Sequence, residues 1–375
     1  MSNINSSDNV LYEYVNFDDF DVESKRFWIS ILIFVRKLCS CLEYARFVIA
    51  FFGLFGSIFH LTVLTQKPIR NSSVTIFLIG IATCDLVRMF ETIFSLGKMY
   101  YKQLLFLHIS QTCVPPLSYI DMTIFVVLNA LDMISVDLSV WFAVGMTTFR
   151  ALIMRYPFQP RINSLVTSKA GVYAVIPTSL LTLLFLAFYH HRLTLHPISI
   201  WQPSPDCLDF PSNYTQIEYY WLATDFSGNL SNGIIEVLIN VEGILFKFIP
   251  SIILLAVTLL LVFELRKLKI VKLTTKNKRD TKRTSKLVLF VTFTFIIAII
   301  PQGVLYTIML SVQEGTIIRS IVDKLSVTYS FLSVLNGTVH PLIIYFMTSE
   351  YRTAAKQICF FWKKQTNSTS SVNII

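Results

Sequence analysis

Charge is scarce in this sequence. Of 375 residues only 15% are Asp, Glu, Lys or Arg, against roughly a quarter in soluble globular domains. At the same time 54% are hydrophobic and the mean hydropathy is +0.60, which excludes water as the solvent for most of the chain. The six cysteines form no CxxC pair and no Cys/His spacing suited to zinc, so no metal centre is expected. No internal repeat of the kind that secondary transporters carry is visible, and no filter segment or charge ring that would mark a channel. Nor do a nucleophile, a base and metal ligands gather at one depth, with His60 and His340 far apart, so enzymatic activity is not expected. A signal peptide is not expected either: the first apolar run, 27–35, is short and follows an acidic polar tail, leaving the first full span to insert the chain.

Long apolar runs are what the chain does have. A bilayer core about 30 Å thick takes roughly 20 apolar residues per helix, each backbone group finding its partner within the segment. Seven runs meet that length, at 43–65, 73–96, 118–154, 168–189, 234–265, 286–312 and 322–348. The chain thus divides into a tail (1–42), an all-α seven-transmembrane helix bundle (43–348) and a cytoplasmic helix and tail (349–375). The run 27–35 is too short to cross and is expected to rest at the interface or to continue the first helix outward.

The net charge of +9 is a topology signal rather than a nucleic-acid footprint, because Lys and Arg cluster in particular connections. They follow span one (Lys67, Arg70), flank the link from three to four (Arg155, Arg161, Lys169) and follow span seven (Lys356, Lys363, Lys364). Between Arg266 and Lys286 stand ten basic residues against the single acid Asp280. Those four segments are expected in the cytoplasm, with membrane lipids as a further partner of the basic link, and the N-terminus outside, at the plasma membrane. Segment 190–233 is then extracellular. Glycosylation is expected at Asn5, Asn213 and Asn229, whose sequons fall outside, while Asn71, Asn336 and Asn367 stay bare. Cys113 and Cys207 share the outer side and are expected to form a disulfide, with Cys39 and Cys41 as the other partners open to Cys207.

An ionisable residue within hydrocarbon costs at least ~2.5–3.5 kcal/mol, so those that persist face the interior and mark function. Asp85 lies mid-span among small residues, as a packing polar group or as a sodium or water site linked to switching. Asp132 lies about five turns outward from Arg150, at pocket depth. With Asp137 nearby, and Glu91, Glu236 and Glu242 adding acidity, it suits a ligand carrying an amine or guanidinium. Arg88 and Lys247 are available to neutralise these acids internally, and ligand contact and internal pairing are equally open for each. Pro250 and Pro301 sit within spans five and six, where each removes a helical hydrogen bond and leaves a kink.

The stretch Asn336-Gly337-Thr338-Val339-His340-Pro341-Leu342-Ile343-Ile344-Tyr345 resembles the end of the seventh helix of rhodopsin-like receptors. Pro341 and Tyr345 match that family's Pro and Tyr, and His340 stands where it usually has Asn. The amphipathic segment 351–362 resembles the short cytoplasmic helix that follows, with Cys359 a palmitoylation candidate. Phe295 and Pro301 match the sixth-helix motif, with Ile299 in place of its Trp; Asp85 and Arg150 match the second-helix Asp and third-helix Arg. More narrowly, Gly53-Leu54-Phe55-Gly56-Ser57-Ile58-Phe59-His60-Leu61, the Lys67-Pro68-Ile69-Arg70 turn, 141–150 and Pro301-Gln302-Gly303 resemble nematode serpentine receptors of class W. Those are similar to FMRFamide-type neuropeptide receptors. Three departures stand out: Ser57 replaces the first-helix Asn, Phe149 replaces the acid before Arg150, and Cys113 lies further before Arg150 than usual.

The resemblance implies a G-protein-coupled receptor for an extracellular peptide, with an amine-type or chemosensory ligand as the alternative and a heterotrimeric G protein as partner. It also implies an inner crevice lined by Arg150, Tyr345 and the basic 266–286 segment. With Phe149 in place of the acid, restraint of the resting state is expected from elsewhere in the bundle.

Overall fold

The computed structural model describes residues 21–67, 69–190, 193–207, 210–211, 213–223, 241–267, 275–312 and 316–370. Asn5, Asn229 and Glu236 lie outside the described residues. Seven helices among those described are long and apolar enough to cross a membrane. They are α1 (Val22–Leu64), α2 (Ser73–His108), α3 (Tyr119–Arg155), α4 (Ser168–His190), α5 (Ile249–Lys267), α6 (Thr275–Ser311) and α7 (Ile317–Met347), followed by α8 (Ser349–Ser370).

Several helices outrun their apolar runs. The segment 22–52 contains neither Gly nor Pro, so a helix started by the Asp21 cap, whose carboxylate accepts from the Ser24 N–H at 3.4 Å, continues unbroken into the first span. Residues 22–42, expected as tail, are therefore helical, and the run 27–35 lies in the N-terminal half of α1. Its inner face is held by Leu32 against Ile317 at the start of α7, with Trp28, Ile29 and Ile321 around them. α2 also runs on to His108 rather than ending at 96, with Gly97 inside it. α6 begins at Thr275 rather than 286, so the second half of the basic link is helix. The other ends fall close to expectation, except that 234–240 lies outside the described residues and α7 starts at Ile317.

α3 is the central helix, packing on α2, α4, α5 and α6, while α1 packs on α2 and α7. A large apolar cluster fills the half of the bundle nearest α8, with Phe77, Phe142, Met146, Leu254, Val291 and Phe295 almost wholly buried. Above the other end lies a feature the apolar runs do not announce. The segment after α4 folds into an antiparallel hairpin, β1 (Leu193–Trp201) with β2 (Gln216–Ala223), carrying an irregularity between Pro197 and Ser199. A proline cannot donate to a ladder and is tolerated where the register breaks. The hairpin is pinned down by the Cys113–Cys207 disulfide (Cα–Cα 5.5 Å). Gln216 Nε2 also donates to the Pro116 carbonyl at 2.8 Å, and Tyr219 meets Tyr119 edge-on at 5.2 Å between ring centroids.

α2 and α7 approach closely at Gly337, where a Cβ would stand 2.9 Å from the Asp85 carboxyl. Gly56 of α1, by contrast, has nothing within 4 Å of a Cβ. Gly337→Ala is expected to destabilise the protein by about 1–3 kcal/mol through overpacking, and Gly56→Ala to leave it unchanged or stabilise it by about 0.5–1 kcal/mol. Thermal unfolding of the two purified variants checks this, and equal melting temperatures would contradict the close approach.

Candidate functional site

Midway along the bundle, charged side chains that lipid cannot solvate are paired with one another. Arg88 on α2 is buried and lies 3.6 Å from Asp132 on α3 (Nε to Oδ1) and 3.9 Å from Asp85 (Nη1 to Oδ1). It also donates to the Ser333 carbonyl on α7 at 3.3 Å and to Ser139 Oγ at 3.5 Å, so a single guanidinium ties three helices. The second Asp85 oxygen is hydrogen-bonded to His340 Nδ1 at 2.9 Å, and the His340 ring packs on Phe295 with centroids 4.9 Å apart. Asp85, Phe295 and His340, three of the expected switch residues, are thus one constellation.

A second pair sits one layer away. Lys247, fully buried, is hydrogen-bonded to Asp137 on α3 and lies 3.9 Å from Glu242. Lys247 belongs to a six-residue π-helical stretch, Gly243–Phe248, immediately ahead of Pro250. A π turn inserts one extra residue into the helical period, and Pro250 removes the N–H that would have closed an α turn.

The environment of Asp85 does not fit the expected sodium ion. One of its oxygens meets an imidazole and the other faces a guanidinium, so an added cation would stand beside the like charge of Arg88. Among the described residues no three His, Cys, Asp or Glu side chains gather where a metal ion could bind.

The acids of the bundle interior divide by accessibility. Asp85, Asp137 and Glu242 are at most 2% exposed, whereas the Asp132 side chain retains 26%. Glu91 accepts a hydrogen bond from Ser95 Oγ at 2.5 Å, and Arg46 of α1 attracts both Glu91 and Asp132. Asp85 Oδ1, Asp132 Oδ1, Asp137 Oδ2 and Glu242 Oε1 are buried without a hydrogen bond; the first two face Arg88 and the last faces Lys247 at ion-pair distance.

At the α8 end lies a cavity of about 330 Å³, walled by the start of α2, by Arg150, by Arg283 of α6 and by the α7–α8 junction. Arg150 is 7% exposed and its Nε has no hydrogen-bond partner; among the described residues no acid pairs with it. Tyr345, expected on this wall, is instead 39% exposed and does not line the cavity; Tyr351 does. The reason is rotational: Ile344 occupies the inward position, and Tyr351 enters from the first turn of α8. There Tyr351 hydrogen-bonds His60 Nδ1 at 2.8 Å, and burial pushes its phenol above the ordinary value.

With no acid beside Arg150, α6 is tied to its neighbours by other bonds. Thr147 and Thr292 share a hydroxyl hydrogen bond of 2.9 Å between α3 and α6, and Ser285 Oγ donates to Met154 Sδ at 3.0 Å. Arg283 donates from Nε to the Met347 carbonyl at 2.6 Å and from Nη1 to Ser349 Oγ at 2.7 Å. Pro301 lies within α6 and Pro341 within α7. Asn336 is buried with its Oδ1 unpartnered, outside the Asp85 constellation. Arg283 and Tyr351 were not singled out from sequence: one is hidden in a run of like charges, the other in an amphipathic segment.

Removing Lys247 alone strands two buried acids. Lys247→Met is expected to destabilise by roughly 3–5 kcal/mol, and the Lys247→Met/Asp137→Asn double variant to recover most of that loss. Thermal unfolding in detergent distinguishes the two; a neutral single variant would show that the pair carries no structural weight.

No curated protein matches the chain. Residues 44–362 match the family described as serpentine-type 7TM GPCR chemoreceptor Srw. The matched stretch runs from the first span through α8 and includes both the charge constellation and the Arg150 cavity. It is a family of receptors and not of enzymes, built as the seven-helix bundle found here. The chain accordingly belongs to the Srw family of serpentine, seven-transmembrane G-protein-coupled chemoreceptors.

Proposed function

We propose that this receptor binds a cationic extracellular ligand, a neuropeptide carrying an arginine or a free amine, and activates a heterotrimeric G protein from its α8 end. The observation that carries the ligand class is the charge balance of the bundle centre. Five carboxylates (Asp85, Glu91, Asp132, Asp137, Glu242) face three permanent cations (Arg46, Arg88, Lys247). The partly exposed acid, Asp132, meets Arg88 only at 3.6 Å, through an oxygen that makes no hydrogen bond. A ligand cation would take up that surplus, compete with Arg88 for Asp132, and so loosen the tie between α2, α3 and α7. Glu242 and Glu236 are proposed as further contacts. The ligand shifts the receptor only by binding the loosened state more tightly.

The charge pattern of the connections supports an outward N-terminus and disulfide end, with Arg150 and α8 in the cytoplasm. In that orientation the exposed Asn213 is available for glycosylation, and the exposed Cys359 on α8 for palmitoylation. The family's description as chemoreceptors favours a second reading, a small environmental amine taken at the same acids.

A screen of amidated peptides and of amines against the expressed receptor, read as G-protein activation, tests both readings. Asp132→Ala is expected to weaken the active ligand by roughly 30-fold or more, as for loss of one partner of a buried charge pair. Undiminished potency would remove Asp132 from the site, and responses confined to anionic or neutral compounds would overturn the ligand class. Thr292→Val, which deletes the α3–α6 hydroxyl bond, is expected to raise ligand-free signalling about two- to tenfold; unchanged basal signalling would deny that bond a restraining role.

A further inference from the structure

The cavity at the α8 end has the chemistry of an oxyanion site. Arg150, more than nine-tenths buried, lines it with a guanidinium that has no ion pair among the described residues. Leaving a buried cation uncompensated is costly. Arg283 faces the same space. Two of its N–H groups are engaged by Met347 and Ser349, which leaves three of the five a guanidinium carries.

Two helices also begin on this wall. Ser73 and Val74, at the start of the 36-residue α2, and Ser349 and Tyr351, in the first turn of the 22-residue α8, all line the cavity. Helix N-termini present unpaired N–H groups and a partial positive charge to an anion. The one acid among the described lining residues is Glu350, exposed and without an ion pair to either arginine. The volume of about 330 Å³ sits at the small end of ligand pockets.

We infer that this cavity binds a phosphate group, held between Arg150 of α3 and Arg283 of α6 against the first turns of α2 and α8. Guanidinium donors arriving from two sides, together with two helix N-termini, suit the several oxygens of a phosphate better than the two of a carboxylate. A bound phosphate supplies the counter-charge that the residue before Arg150, here Phe149, does not. It also bridges α3 to α6 and so opposes their separation. The phosphate is carried either by a diffusible anion or by a lipid headgroup, and the binding site stands whether or not the proposed ligand and G-protein reading holds.

Purified full-length protein in phosphatidylcholine nanodiscs provides the test. In one arm sodium phosphate is titrated against sodium chloride at matched ionic strength; in the other the discs contain phosphatidylinositol bisphosphate and no free phosphate. A saturable rise in melting temperature is expected. Its appearance in the first arm assigns a diffusible anion, and its restriction to the second a lipid headgroup. Arg150→Gln and Arg283→Gln are each expected to raise the half-saturating amount by about tenfold or more, and Arg150→Lys, which keeps the charge without the fork, by less. If Arg150→Gln does not fold, Arg150→Lys and Arg283→Gln carry the comparison. No rise in either arm, or a rise that the variants leave unchanged, overturns the inference. Neither readout needs agonist or G protein, so a failed signalling assay remains a separate result.

Discussion

A charge inside a lipid-embedded bundle has to be neutralised by a neighbour, and most of this receptor's interior is arranged around that requirement. Arg88 alone reaches Asp85, Asp132, Ser139 and the Ser333 carbonyl, fixing the mutual rotation of α2, α3 and α7. Lys247 does the same for α5 against α3 through Asp137. Apolar packing is less selective about rotation, because a leucine face sits almost as well against lipid as against another helix. The ionic contacts therefore specify which faces meet, whatever their net contribution to stability.

These contacts also divide the bundle by depth. Above the charged layer, the disulfide holds the hairpin beside the start of α3. Below it lies the apolar cluster that includes Phe295, whose ring meets that of His340 at a tilt. A displacement of His340 would be felt by Phe295, which precedes Pro301 and so belongs to the half of α6 nearer the Arg150 cavity. That contact offers a physical link between an upper binding event and a lower opening, resting on one aromatic pair and one hydrogen bond.

The number of spans was legible from sequence because length and hydropathy encode it directly. The ends of α1, α2 and α6 were not, since a helix stops where the backbone is broken or capped and not where the lipid ends. The hairpin escaped notice because its alternation slips between Pro197 and Ser199. Asp85, Arg88, Asp132 and Lys247 were visible as expensive residues able to neutralise one another, but which acid meets which cation was not. Pairing depends on helix rotation, and the π turn at Gly243–Phe248 shifts the face of α5 by one residue in a way no simple period anticipates. The absence of an acid beside Arg150 was plain in the sequence; the hydroxyl pair Thr147–Thr292 that ties α3 to α6 required coordinates, because neither residue is distinctive alone.

α1 spans 43 residues, and at 1.5 Å per residue it is roughly 65 Å long, while a bilayer with its headgroups measures only about 40–45 Å. About 20 Å of helix is therefore left over beyond what an upright span takes up. Leu32 against Ile317 holds part of that surplus beside the start of α7, so the separation of Val22 from the rest of the bundle is set by a rod and not by a coil.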